Sequence, residues 1–317
     1  MKRIVFFTHQ NPQGYRIQQY FPFLEACGFQ VELLTSRMSF LKVVEQIRSA
    51  DVLYIQRLLF NPLKLSIIRA SVKRIVYDFD DAVMHGFRGD STTRARKFRN
   101  MVRHADAVFC GNNFLFQEAK KHRADAIYYV PTVVNTDEYP VKKHSETEQM
   151  VVGWIGSRST LRYLVDLEQL VLNASDRAGV IFKIVADKSL NTKAANVVFE
   201  KWAADQEKDM LNSFDIGVMP LRDDIWSRGK CGLKLIQYMA SGLPSIAHPF
   251  GVAQEIISNG VNGMLRRDID GWKEAIEVLS SDTQKRAIMG KAARDVIEER
   301  YSLRVWGPRV VEIIENL

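Results

Sequence analysis

The stretch 226-WSRGKCGLKLIQYMASGLPSIAHPFG-251 runs through three kinds of sequence. A polar lead-in holds Arg228, Gly229 and Lys230. A helical pattern follows over 231–241, with Leu233, Leu235, Ile236 and Met239 on the core-facing side. Gly242-Leu243-Pro244 stops that helix, and 244-PSIAH-248 reads as a short buried strand. Helix, turn and strand in this order are the repeating unit of a parallel sheet covered by helices. Two readings of the lead-in stand. Arg228 and Lys230 either extend into water or flank an anion at the helix start. A lysine at the N-terminal end opposes the helix dipole unless an anion offsets both, which favours the second reading. Gly229 and Gly232 would let backbone approach such a ligand closely.

The same alternation extends in both directions. Strand patterns upstream are 3-RIVFFT-8, 30-QVELLT-35, 51-DVLYIQ-56, 74-RIVYDF-79, 106-DAVFCG-111 and 126-AIYYVP-131, with helical stretches such as 15-YRIQQYFPFLEAC-27 between them and Gly28 as a stop. The pattern weakens over the polar 136-TDEYPVKKHSETEQ-149, which reads as a linker. It restarts with 150-MVVGWIGS-157, 181-IFKIVA-186, 215-DIGVMP-220, 244-PSIAH-248 and 263-GML-265. The expected fold is α/β, two Rossmann-like doubly wound domains facing a cleft. Residues 1–149 form the first and 150–300 the second. The amphipathic 301-YSLRVWGPRVVEIIENL-317 either crosses back to the first domain or packs on the second. In such sheets ligands bind beyond the carboxyl ends of the strands.

Composition narrows the class. The 317 residues carry 46% hydrophobic and 26% charged side chains, as a globular protein does. No apolar run approaches the roughly 20 residues of a membrane span. MKRIVFFTHQ reads as a first strand and not as a signal peptide. Three scattered cysteines fit a reduced cytoplasm, and neither they nor the six histidines have metal-ligand spacing, so no metal site is expected. Residues 1–150 hold 22 Lys+Arg against 15 Asp+Glu, so the net charge of +7 lies entirely in the first half. Much of it is in 88-RGDSTTRARKFRNMVRH-104 and 120-KKHR-123. That excess is either a solvated basic face or an attraction to an anionic membrane surface. No nucleic-acid-binding motif accompanies it, so nucleic acid is not an expected partner.

Two further loops resemble ligand contacts. Strand 150–156 runs into Gly156-Ser157, with Ser159 or Thr160 as a possible helix cap, and free N–H groups at a helix start can hold phosphate. In 248-HPFGVAQEIISNGVNGML-265, Gly251 and Val252 precede a short helix containing Glu255. Taken with GWIGS, FDIGVMPLRDD and GKCGLKLIQYMASGLPSIA, this order resembles the donor-binding half of retaining GT-B glycosyltransferases, family 4 (glycosyl transferases group 1). HQNPQGYR, YDFDDAV and VPTVVNTDEY resemble their first half, so the likeness covers essentially the whole chain. One departure stands out. Where the family has Glu-x7-Glu, this chain has Gly229 and Gln237.

The resemblance implies a sugar moved with retention from a nucleotide-sugar donor to a glycan or lipid-linked acceptor, in bacterial surface polysaccharide synthesis. It implies a cytoplasmic enzyme, peripheral on the inner membrane face, without a metal or other cofactor. Donor contacts would be Gly156, Ser157, Arg228, Lys230, Gly232, Leu233, Gln237 on the ribose, Gly251, Val252, and Glu255 near the sugar. Lys230 would be the main phosphate contact, acting electrostatically on the leaving group. Asp80 and Asp81 follow the 74–79 strand, and one of them would orient the acceptor hydroxyl or accept its proton; helix capping is the plain alternative for Asp81. His9, Gly14 and Arg16 would line the acceptor. A nucleotide-sugar 2-epimerase shares the expected architecture, and the missing glutamate motivates a third reading as a non-catalytic nucleotide-sugar-binding subunit.

Overall fold

A computed structural model describes residues 2–9, 15–86, 89–165, 179–189 and 196–317. They form two compact units: Met1–Val133 with Asp224–Cys231 and Leu303–Leu317, and Val134–Asp223 with Gly232–Ser302.

The sheet of the first unit comprises β1 (Lys2–Thr8), β2 (Phe29–Thr35), β3 (Val52–Gln56), β4 (Arg74–Phe79), β5 (Ala107–Cys110) and β6 (Ile127–Tyr129). All pairings are parallel, in the order β2-β1-β3-β4-β5-β6. Alternating residues of one strand enter two different cores, as the pleat requires. Val5 and Phe7 join one core with the helices Phe40–Ile47, Pro62–Ser71, Thr92–His104 and Asn113–Lys120. Ile4 and Phe6 join the other with Tyr20, Leu24, Val310, Val311 and Ile314. The C-terminal helix Leu303–Glu315 is therefore core material of this unit. Its Trp306 ring lies 6.4 Å from Tyr129. The sequence predicts a helix over 15–27, but the regular α-helix is only Phe21–Ala26. Pro22 suits its first turn and could not donate within a longer helix begun upstream.

The second sheet comprises β7 (Met150–Gly156), β8 (Val180–Ala186), β9 (Val197–Lys201), β10 (Ile216–Met219), β11 (Ser245–Ala247) and β12 (Met264–Leu265). It too is parallel, ordered β12-β11-β10-β7-β8-β9, the doubly wound arrangement. β9 is absent from the sequence reading. It is an exposed edge strand with no fully buried residue, so it lacks the apolar run that marks the others. The helix Leu233–Ala240 lies so close to the sheet that a Cβ at Gly217 would sit 2.5 Å from the Tyr238 ring. The Tyr238 hydroxyl in turn accepts the Ile155 N–H at 3.0 Å. The 136–149 stretch is packed and not a free tether. Lys142 reaches Asp215 at 3.1 Å, His144 reaches the Gly242 carbonyl at 2.9 Å, and Arg294 holds the Tyr139 carbonyl at 3.0 Å.

Candidate functional site

In the first unit, the ends of β3 and β4 carry two layers of ion pairs. The lower layer is buried. Arg16 is 1% exposed, and its guanidinium grips the Asp78 carboxylate and donates to the Val130 carbonyl at 2.7 Å. Arg16 thus ties the end of β4 to the Val130 carbonyl from within the core. Despite burial, which opposes its charge, Asp78 raises its pKa well above the usual range. The upper layer is Arg57 between two carboxylates. Its Nε and Nη2 donate to Asp80, and its Nη1 lies 3.0 Å from Asp81. Arg57 adopts the left-handed conformation, φ 59°, immediately after β3, and its N–H donates to the Asp78 carbonyl at 2.8 Å. Such strain persists where the surroundings over-determine it. The two carboxylates differ. Burial works against ionisation of Asp80, but Arg57 prevails and holds its pKa low. Burial, reinforced by Asp80, pushes Asp81 upward. His9 is exposed, and burial together with Arg57 and Arg94 lowers its pKa. Gly14 lies outside the described residues.

Segment 224–231 belongs to this unit. Asp224 caps the short helix Ile225–Arg228. The buried Asn112 amide donates to the carbonyls of both Arg228 and Lys230, each at 2.9 Å. The Cys231 thiol donates to the Asp80 carbonyl at 3.2 Å. Asn112 also caps its own helix by accepting the Leu115 N–H at 2.8 Å. Within this unit Lys230 places its charge by Asp81. The absence of a glutamate at 229 also has a steric cause. A Cβ there would lie 2.6 Å from the Ala82 Cβ and 2.7 Å from the Ala82 nitrogen.

The second unit brings the remaining glycines together. Gly156 ends β7. The loop after it closes on itself, with the Ser157 N–H donating to Thr160 Oγ1 at 3.2 Å and the Ser157 hydroxyl paired with Ser159 at 2.8 Å. The cation above this loop is Lys234, which the sequence reading passed over as one residue of an apolar helix. Its ammonium donates to Thr160 Oγ1 at 3.0 Å and stands 4.3 Å over the Trp154 ring. A Cβ at Gly156 would come within 2.4 Å of the Trp154 ring and 2.6 Å of that ammonium, so the bare backbone leaves room for both. Leu233 and Lys234 open the helix after Gly232, whose φ of 72° suits glycine alone. A Cβ on Gly232 would meet Val252 Cγ1 at 2.7 Å, which places the Gly251–Val252 turn against the helix start. Glu255 lies in the adjoining turn Ala253–Ile256, its carbonyl 3.5 Å from the Tyr301 hydroxyl. Gln237 is 3% exposed. Its amide donates to Glu207 at 2.8 Å and to the Tyr139 hydroxyl at 3.3 Å, so its donors serve the protein. Among the described residues no three His, Cys, Asp or Glu side chains gather as a metal-ligand set.

Beside these loops is a hollow of about 490 Å³ lined by His248, Phe250, Trp272, Tyr163 and Arg267, among others. The His248 ring stacks on Phe250, centroids 5.2 Å apart, and its Nδ1 accepts the Leu221 N–H at 3.1 Å. Burial, then Arg267, pushes its pKa down to about 4. A histidine depressed in the fold contributes stability that is complete above its unfolded value, about 6.5, and fades as pH falls toward 4. Urea unfolding at pH 7 and pH 4.5 should therefore show an acid-induced loss in the wild type that His248→Gln lacks. The difference should be on the order of 1 kcal/mol, since the ring is partly solvent-screened.

Comparison with known proteins follows this geometry. Residues 149–282 match the family model described as "Glycosyl transferases group 1". Over 161 residues the chain is 26% identical to a GDP-mannose-dependent monoacylated alpha-(1-6)-phosphatidylinositol monomannoside mannosyltransferase of Corynebacterium glutamicum, spanning 48% of this chain and 39% of that relative's length. Among solved structures, a glycosyltransferase from Rickettsia africae aligns at a TM-score of 0.78 with 13% identity, covering 99% of this chain and 98% of its own. Anabaena Alr3699/HepE in complex with UDP aligns at 0.75 with 18% identity over 100% of both chains. At these identities the structural likeness is one of fold, and the fold is that of GT-B glycosyltransferases. Among the described residues no helix is long and apolar enough to cross a membrane.

Proposed function

We propose that this protein is a retaining glycosyltransferase that takes a sugar from a nucleotide-sugar donor and delivers it to a glycan or lipid-linked acceptor in bacterial surface polysaccharide synthesis. The observation that carries the donor half is the Lys234 ammonium held over Gly156 by Trp154 and Thr160, within the segment that matches the family. A fixed cation beside close-approaching backbone stabilises a departing diphosphate without reorganisation. In this reading such fixed protein groups, and no bound metal, carry the leaving-group charge. The acceptor half rests on the carboxylates after β4, which can take a hydrogen bond from a hydroxyl.

A lipid-linked acceptor is supported by the name of the Corynebacterium relative, which acts on a phosphatidylinositol monomannoside. It is also supported by the basic helix Thr92–His104, where Arg96, Arg99 and Arg103 are exposed at helical spacing. Such a face would be drawn to the anionic leaflet of a membrane.

The test has two stages. Thermal shifts with UDP, GDP, dTDP, CMP and their sugars should single out one base, and no shift with any of them would refute the donor site. With that donor, product formation should need an acceptor hydroxyl and give the donor's own anomeric configuration. Turnover of the sugar with no acceptor present would favour an epimerase instead, and tight binding without turnover a non-catalytic subunit.

A further inference from the structure

The carboxyl edge of the first sheet holds three cations around two carboxylates. Arg57 is engaged by both Asp80 and Asp81, and Lys230 places its charge by Asp81. The third cation, Arg94, comes from the helix Thr92–His104 and is partly buried. Its Nε donates to the Val83 carbonyl at 2.9 Å, and the Val83 N–H donates to the Asp81 carbonyl at 2.7 Å. The Arg94 guanidinium is thus tied to the turn that carries Asp81. Among the described residues no carboxylate pairs with it.

Holding that turn takes one N–H and makes no use of the charge. A guanidinium bound through Nε keeps the fork of its two Nη groups, which suits the oxygens of a phosphate or a carboxylate. His9 belongs to the same edge. It follows β1 as Arg57 follows β3, and these neighbouring strands are level at Phe7 and Ile55, roughly 5 Å apart. Arg57 and Arg94 both act on the exposed His9 ring, and the neutral imidazole they favour still donates one N–H. Fork and ring N–H therefore accompany the two carboxylates, in a cluster with a surplus of positive charge.

We infer that the acceptor carries an anionic group, a phosphate or a carboxylate, near its reacting hydroxyl, and that Arg94 with His9 holds this group while Asp80 or Asp81 takes the hydroxyl. The anionic group takes no part in the bond changes; it fixes where the hydroxyl lies. Arg94 then determines specificity, selecting charged acceptors over neutral ones. This inference rests on the glycosyltransferase reading and adds to it the chemical class of the acceptor.

Isothermal titration of the full chain with glucose 6-phosphate, glucuronate and glucose tests it, with the best-binding nucleoside diphosphate held at saturation so that the probes do not report on the donor site. At least one charged probe should bind roughly tenfold or more tightly than glucose, and the better of the two distinguishes a phosphate from a carboxylate. Arg94→Gln, which keeps a donor for the turn, should abolish that preference and leave glucose affinity unchanged, a pattern that misfolding would not produce. Arg94→Lys should keep part of the preference, and His9→Ala should lower it roughly threefold. Equal affinity for charged and neutral probes in the wild type, no binding of either charged probe, or an unchanged preference in Arg94→Gln would overturn the inference while leaving the glycosyltransferase reading intact. A wild type that binds no nucleotide would overturn both.

Discussion

Lys234→Ala is expected to weaken nucleoside diphosphate binding roughly 10- to 100-fold while leaving affinity for the corresponding nucleoside within a factor of about two. A charge-assisted hydrogen bond contributes about 1.5–3 kcal/mol, and each 1.4 kcal/mol is a factor of ten. The ammonium is already in place over Trp154, so binding would cost little ordering of the lysine chain. Lys234→Arg should recover only part of the loss, because a forked guanidinium does not fit the space a compact ammonium occupies above Gly156. Gly156→Ala should also weaken diphosphate binding, since its methyl would press on the Trp154 ring over which that ammonium stands. Lys230→Ala should weaken diphosphate binding less than Lys234→Ala, because the Lys230 charge is engaged near Asp81. Titration calorimetry with diphosphate and nucleoside side by side measures all four variants. Equal losses for both ligands would mean that Lys234 supports the fold and not the phosphates.

The contrast between these two lysines shows where sequence reading stops. The strands of the first sheet are legible because each is a short apolar run with its own turn signals, and all six were found where their patterns place them. The helix over 231–241 was legible too, but its start was not. Cys231 matches the apolar spacing, whereas its thiol is pinned to the Asp80 carbonyl, so the helix begins only at Leu233. That contact lies 151 residues apart in the chain. Nothing local to 226–232 announces it, and nothing local says that 229 must be glycine because Ala82 presses on it. Lys234 was hidden for the opposite reason. It sits among Leu233, Leu235 and Ile236, where a polar residue reads as the solvent side of an amphipathic helix. Its role depends on Trp154 lying beneath it, which periodicity cannot convey. The ion pair of Arg16 was not legible either, because its partner Asp78 is supplied by β4 from 62 residues away.

That buried pair gives the largest stability effect expected in the chain. Arg16→Met should destabilise the first unit by about 3–5 kcal/mol, because it leaves the wholly buried Asp78 carboxylate without its guanidinium. The Val130 carbonyl, which accepts from Arg16 at 2.7 Å, would lose that donor as well. Asp78→Leu alone should cost a similar amount, for it strands a cation among Tyr20, Tyr54 and the other apolar walls of the same core. The double variant Arg16→Met/Asp78→Leu should be markedly less harmful than the sum, since replacing a buried ion pair by apolar groups of like volume is often nearly neutral. Chemical unfolding followed by tyrosine and tryptophan fluorescence gives the three free energies, and their cycle gives the coupling. A coupling near zero would mean that water reaches the pair and that Arg16 is open to ligands after all. A large one fixes its role as the floor on which Arg57 and the two upper carboxylates stand. The Asp78 carbonyl takes the Arg57 N–H, so the strand end that Arg16 anchors is the same one that holds Arg57 in its left-handed turn.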